Sequence, residues 1–113
     1  MQSLDLAITD SLTGLFNKRF LMAHLPVQMQ IARQSRRSLS LALLDLDGFK
    51  GLNDSFGHLA GDQFLISVAD RLRQNSRVSD SAIRLGGDEF ALVLPNARAG
   101  DARKVLARLI DGI

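Results

Sequence analysis

The chain has 113 residues, 46% of them hydrophobic, and a formal net charge of +2 at a pI near 9.7. That length holds at most one domain, and the absence of cysteine excludes disulfides and thiolate zinc sites. No apolar run approaches a membrane span, and the N-terminus, Met1-Gln2-Ser3-Leu4-Asp5, lacks the charged head of a secretory signal, so a soluble, cytoplasmic chain with no direct membrane insertion is expected.

Asp10 to Thr13 reads as a turn or a helix cap ahead of Leu15 and Phe16. The periodicity predicts a helix from about Lys18 to Gln34, with Phe20, Leu21, Leu25, Ile31 and Ala32 as its apolar stripe. Pro26 lies inside this pattern and is expected to kink or divide it. The cluster Arg33, Arg36 and Arg37 reads as a basic helix end that complements the helix dipole. No aromatic residues interleave with it, so a nucleic-acid surface is not expected. A first strand follows at about Leu39 to Asp45. The segment from Gly48 to Asp62 is rich in Gly, Asn and Asp and suits a short helical turn followed by a loop. A helix at about Gly61 to Gln74 turns Phe64, Leu65, Val68, Ala69 and Leu72 inward. Strands are predicted at about Ala82–Leu85 and Phe90–Leu94, ended by Pro95-Asn96. Asp101 is placed as the cap of a last helix with the stripe Ala102, Val105, Leu106, Leu109, Ile110 and Ile113. From the first strand onward the order is βαββα, a ferredoxin-like α/β (α+β) core that lacks a last strand.

Two features carry chemistry. Leu39-Ser40-Leu41-Ala42-Leu43-Leu44-Asp45-Leu46-Asp47 is a buried strand that ends in acids. Asp45 and Asp47 share a face by the two-residue period. Arg84-Leu85-Gly86-Gly87-Asp88-Glu89-Phe90 is a hairpin signal whose tip carries adjacent carboxylates. A turn gains nothing from the second acid. Clustered carboxylates that leave coordination positions to water and phosphate suit Mg²⁺, and Gly86 and Gly87 let a phosphate-bearing ligand approach closely. For the strand end and the tip to share a metal they must lie side by side, which a parallel neighbour pairing would achieve.

Leu44-Asp45-Leu46-Asp47-Gly48-Phe49-Lys50, then Asn53-Asp54, Phe56-Gly57-His58, Gly61-Asp62 and Arg84-Leu85-Gly86-Gly87-Asp88-Glu89-Phe90, follow one another in order. With Asp10-Ser11-Leu12-Thr13-Gly14-Leu15-Phe16-Asn17-Lys18-Arg19 before them, they resemble the GGDEF family of diguanylate cyclases. The resemblance runs from Asp10 to the end of the chain. It implies a lead-in over 1–9 and a GGDEF domain over 10–113 that is incomplete at its C-terminus. The implied fold is that of nucleotidyl cyclases and polymerase palms, with the last strand or strands missing.

The implied activity condenses two GTP into cyclic di-GMP and pyrophosphate by attack of each 3′-hydroxyl on the other nucleotide's α-phosphate, and needs two such domains in a homodimer. Mg²⁺ (or Mn²⁺) would be held by the carboxylates of Asp45 and Asp88 and by the Leu46 carbonyl. Glu89 would serve a second metal or the attacking hydroxyl. Either Asp88 or Glu89 is the implied proton acceptor, and Lys50 stabilises transition-state charge. Gly48, Phe49, Gly86 and Gly87 border the phosphates. Asn53, His58 and Asp62 are the implied guanine and substrate contacts. Arg77-Val78-Ser79-Asp80 resembles the family's Arg-x-x-Asp inhibitory site, where Arg77 and Asp80 would bind the product. Gly51 departs from the helix-favouring residues more usual at its position, at a cost of about 1 kcal/mol. The absent C-terminal part would leave Leu39–Asp45 as an exposed edge. The alternative reading is a weak or inactive fragment that binds GTP or cyclic di-GMP as a signalling module.

Overall fold

Phe90-Ala91-Leu92-Val93-Leu94 is apolar without alternation, which in a strand means burial on both faces. In the computed structural model, which describes residues 7–111, each of these residues is at most 1% exposed. They form the centre of β4 (Glu89–Pro95). The other elements are β1 (Phe16–Asn17), α1 (Lys18–Ser35), β2 (Leu39–Asp45), α2 (Phe49–Phe56), α3 (His58–Gln74), β3 (Ser81–Gly86) and α4 (Ala99–Asp111). Most of the 1–9 lead-in, and Ile113 of the last predicted stripe, lie outside the described residues.

The sheet order is β1-β3-β4-β2, and strand alternation divides β4 between two cores. Phe90, Leu92 and Leu94 join Ala42, the α3 residues Leu65, Val68, Ala69 and Leu72, and the α4 residues Ala102 and Leu109. Ala91 and Val93 join Ile83 and the α1 residue Leu21, with Phe16, Phe20 and Leu25 packed against them. The result is a helix–sheet–helix sandwich of mixed α/β class, with the expected βαββα run from β2 onward.

Several expectations are corrected. β2 is not parallel to its neighbour in the hairpin; it pairs antiparallel with β4, from Leu39↔Pro95 to Asp45↔Glu89. β3 is also antiparallel to β4, so β2 and β3 point the same way with β4 inserted between them. This is the split βαβ arrangement, in which the parallel relation exists but not between neighbours. Pro26 does not divide α1, which runs unbroken from Lys18 to Ser35. The lost hydrogen bond falls on a solvent-facing side, with Met22 58% and Val27 53% exposed, while Leu21 anchors the opposite side at 4%. The predicted loop before Gly61 is helical: α2 ends at Phe56 and α3 begins at His58, with only Gly57 between, at φ 89°. Asp101 is not the N-cap of α4. It lies in the first turn and accepts from the Arg98 N–H at 3.0 Å, the reverse half of a capping box. β1, parallel to β3 through Phe16↔Ile83 and Asn17↔Arg84, was not anticipated; two residues carry no periodicity.

α2 and α3 cross where Asn53 meets Gly61. A Cβ built on Gly61 would stand 1.7 Å from Asn53 Oδ1, so only glycine fits beside this side chain. The contact buries Asn53 Oδ1 without a hydrogen-bond partner. Gly61→Ala is therefore expected to destabilise the parent by about 1–3 kcal/mol through overpacking. In an Asn53→Ala background the same change should stabilise by up to ~1 kcal/mol, because alanine favours the helix interior. Chemical denaturation of the four proteins checks this, and identical effects of Gly61→Ala in both backgrounds would show that the close approach has no energetic consequence.

Candidate metal and nucleotide site

β2 and β4 end together. Asp45 is directly opposite Glu89, which in an antiparallel pair places both side chains on one face of the sheet. One residue further, the Leu46 N–H donates to the Asp88 carbonyl at 3.1 Å. Asp45, Leu46, Asp88 and Glu89 are thus gathered at one corner by main-chain pairing. Asp45 and Glu89 are exposed, and neither forms an ion pair among the described residues. Like charges directly opposite each other are unfavourable, and a cation between them would relieve the repulsion. Among the described residues, no group of three or more acidic or histidine side chains is placed to hold a metal ion by itself. A hard oxygen set of one or two carboxylates plus a backbone carbonyl, open to phosphate and water, is what Mg²⁺ accepts. The residues present therefore fit the metal expected from the sequence.

The hairpin tip is bare. No atom lies within 4 Å of where a Cβ would stand on Gly86 or Gly87, and their φ angles of 146° and 48° favour glycine. The turn is gripped from behind by Arg84. Its Nε and Nη2 donate to the Gly87 carbonyl at 3.2 and 2.9 Å, and its Nη1 donates to Asp10 Oδ1 at 3.1 Å. Asp10 also accepts from the Thr13 N–H at 2.9 Å and the Thr13 hydroxyl at 2.8 Å.

Beyond β2, Gly48 takes the left-handed conformation at φ 77° as N-cap of α2, so the N–H groups of its first turn stand free of a side-chain cap. Phe49 is half-buried against the larger core, while Lys50 is exposed. Asn53 and Asp62 are brought near one another by the Asn53–Gly61 contact, with Asp62 exposed on α3. His58 is exposed at the start of α3 and makes no side-chain hydrogen bond among the described residues.

Arg77 and Asp80 lie at the opposite end of the sheet. The Asp80 side chain is fully buried, and Arg77 closes over it with Nη2–Oδ1 at 2.8 Å and Nε–Oδ1 at 3.1 Å. Arg77 Nη2 also donates to the Pro95 carbonyl at 2.6 Å. The Asp80 hydrogen bond holds the guanidinium above its usual range; burial opposes this, and the charges of Asp80 and Asp101 add to it. A cavity of about 390 Å³ opens beside Arg77, lined also by Lys104, Arg108 and Asp101. Sequence reasoning did not single out Lys104 or Arg108 for this face; their only signal is a place on the polar side of α4. It also missed the tie between Arg84 and Asp10, which are far apart in the chain.

The family model "Diguanylate cyclase, GGDEF domain" matches residues 7–113. The chain belongs to the GGDEF family. It is 41% identical over 110 residues to the bifunctional diguanylate cyclase/cyclic di-GMP phosphodiesterase MucR of Pseudomonas aeruginosa, covering 97% of this chain and 16% of MucR. It is 40% identical over 107 residues to the response regulator PleD of Caulobacter vibrioides, covering 95% of this chain and 24% of PleD. The fold matches the GGDEF domain of DgcB from Caulobacter crescentus, solved in complex with c-di-GMP, with a TM-score of 0.88 and 33% identity over 96% of this chain and 63% of that one. The chain thus spans less than a quarter of the length of these curated relatives. No helix among the described residues of this GGDEF domain is long and apolar enough to cross a membrane.

The Asp10 carboxylate has a titration consequence. Burial pushes its pKa up, but the Thr13 hydroxyl and N–H and the Arg84 guanidinium outweigh that and hold it below its ordinary value of 3.8. A carboxylate lowered in the folded state adds stability above its unfolded pKa, and that stability is lost as pH falls through the folded value. At neutral pH the parent should melt above Asp10→Asn. The two melting temperatures should converge as pH falls through and below the ordinary carboxylate range; a gap that persists in acid would mean that the Asp10 charge is not what stabilises this tie.

Proposed function

We propose that this chain carries the GTP-binding half-site of a diguanylate cyclase. The observation that carries the reading is the unneutralised Asp45–Glu89 pair beside Asp88, at an open Gly86–Gly87 tip. Asp45, Asp88 and the Leu46 carbonyl would hold Mg²⁺ or Mn²⁺, with Glu89 available to a second ion. When bound, the metal supplies charge neutralisation on the triphosphate and lowers the barrier to attack at the α-phosphate.

The chain's own residues do the rest. The free N–H groups at the start of α2, from Gly48 and Phe49, are placed for phosphate at a helix N-terminus. Lys50 offers a mobile cation to the developing charge. Asn53 offers an amide and Asp62 an exposed carboxylate, both able to accept from N–H donors. Guanine presents such donors, so Asn53 and Asp62 read the base, and His58 borders it. Asp88 or Glu89 accepts the proton of the 3′-hydroxyl.

One such site holds one GTP, so condensation requires a second copy facing it in a homodimer. The domain occupies 10–113 of this chain and works in the cytoplasm, where GTP is available. Arg77 and Asp80, beside the cationic Lys104 and Arg108, are the proposed seat for inhibitory cyclic di-GMP. Charge-assisted forks from arginine suit its phosphates and guanines.

Isothermal titration of GTP with and without Mg²⁺ tests the reading. Mg²⁺ should raise GTP affinity, Asp45→Asn should remove most of that gain, and ATP should compete poorly. In the same experiment Arg77→Ala should weaken cyclic di-GMP binding and spare GTP. Equal metal dependence in Asp45→Asn and the parent would remove the corner from the site.

A further inference from the structure

The hairpin tip must hold Asp88 and Glu89 still, yet it is built from residues that cannot hold themselves. Gly86 and Gly87 have open space where side chains would pack, and the β3–β4 register shifts between Arg84 and Gly86. Forward support comes from one main-chain bond, Leu46 N–H to the Asp88 carbonyl. From behind, the only side chain donating to the tip among the described residues is Arg84.

We propose that Arg84 is a positioning residue for the metal-binding tip, and that Asp10 fixes Arg84 in place. The inference rests on the metal reading of Asp45, Leu46 and Asp88. Arg84 Nε and Nη2 close on a single oxygen, the Gly87 carbonyl. That carbonyl belongs to the peptide leading directly into Asp88, so fixing its plane fixes where the Asp88 side chain departs. The third nitrogen, Nη1, is spent on Asp10, so the planar fork bridges the carbonyl and the carboxylate at once. Both side chains are largely shielded, Arg84 at 15% and Asp10 at 19% exposure.

The anchor is itself braced. Asp10 is locked to Thr13 by the hydroxyl and N–H bonds, and the Asp10 N–H donates to the Leu15 carbonyl at 2.7 Å. From the other side Arg73 Nη2 donates to the Thr13 carbonyl. A turn with this many constraints is a rigid reference point. The tip takes its position from that turn through one guanidinium. Lysine could keep the charge opposite Asp10 but cannot span carbonyl and carboxylate with a planar fork.

The test measures Mn²⁺ affinity in the presence of GTP, by titration of the free Mn²⁺ signal, beside thermal melts of the same proteins. Arg84→Lys is expected to stay folded at the assay temperature and to bind Mn²⁺ about tenfold more weakly or worse, the usual effect of losing a group that orients metal ligands. Asp10→Asn should weaken Mn²⁺ binding in the same direction, and the double variant should lose little beyond Arg84→Lys alone, because one bridge is being broken. Leu25→Ala, in the smaller core beneath α1, controls for stability and should melt earlier while binding Mn²⁺ as the parent does. If Arg84→Lys and Asp10→Asn are folded and bind Mn²⁺ like the parent, Arg84 is only a structural tie and the inference fails while the metal reading stands. If Arg84→Lys does not fold, Asp10→Asn alone decides in the same way. If the parent binds no Mn²⁺, or Asp45→Asn binds it equally well, the metal reading fails and the inference with it.

Discussion

The antiparallel register of β2 on β4 is the constraint on which the site depends. It places Asp45 against Glu89 and Leu46 against the Asp88 carbonyl. A slip by one residue would turn every β2 side chain to the other face and separate these groups. Hydrophobic patterning does not hold this register by itself. On β2 the small Ala42 is the buried residue, at 7%, while Leu41 and Leu43 are 43% and 67% exposed. The strand is instead pinned at both ends. Ser40 donates its hydroxyl to the Ala97 carbonyl at 2.7 Å and the Asn96 N–H donates to the Ser38 carbonyl at 2.8 Å; the Leu46–Asp88 bond closes the other end. The register that stabilises the sheet is the same one that assembles the carboxylates.

Stability and site pull in opposite directions at that corner, and the pull is visible in the contrast between the chain's ion pairs. Asp80 is buried and closed over by Arg77; Asp10 is shielded and answered by Arg84. Asp45 and Glu89 face each other without a cation, and Asn53 Oδ1 is buried without a donor. Opposed carboxylates and a buried unpaired oxygen depart from local consistency where function is expected. The two proposed ligand regions are also separate. Arg77 is tied to Pro95 at one end of β4 and Asp45 is paired with Glu89 at the other, about 20 Å away at strand rise.

Local signals in the sequence located the helices, the buried β4 run, the hairpin and the acidic corner, because each is written in neighbouring residues. The stretch joining α2 to α3 reads locally as loop because Asn53, Asp54 and Gly57 weigh against a helix, while the Asn53–Gly61 contact where the two helices meet is tertiary. Pro26 interrupts less than its local signal suggests because its cost falls on an exposed side of a helix held by Leu21. The direction of β2 against the hairpin depends on which hairpin strand inserts beside it, and no local pattern encodes that. Arg84 and Asp10 were both visible as motif residues, but their pairing spans 74 positions and appears only when β1 lies along β3. Whether Asp88 or Glu89 accepts a proton remained open in the sequence for the same reason: adjacent carboxylates differ in neighbours, not in type.

The central claim is that a divalent metal binds where β2 meets the hairpin tip. Adding Mn²⁺ in sub-stoichiometric steps, with GTP present, to the ¹⁵N-labelled chain reads this directly, because the paramagnetic ion broadens nearby amide signals. Loss should begin at residues 44–47 and 86–89, while the amides of 77–80 and 98–101 persist, at the far end of the sheet. Broadening centred first on Asp80 or Asp101, or spread evenly over the acidic residues, would contradict a metal site at the Asp45–Glu89 corner.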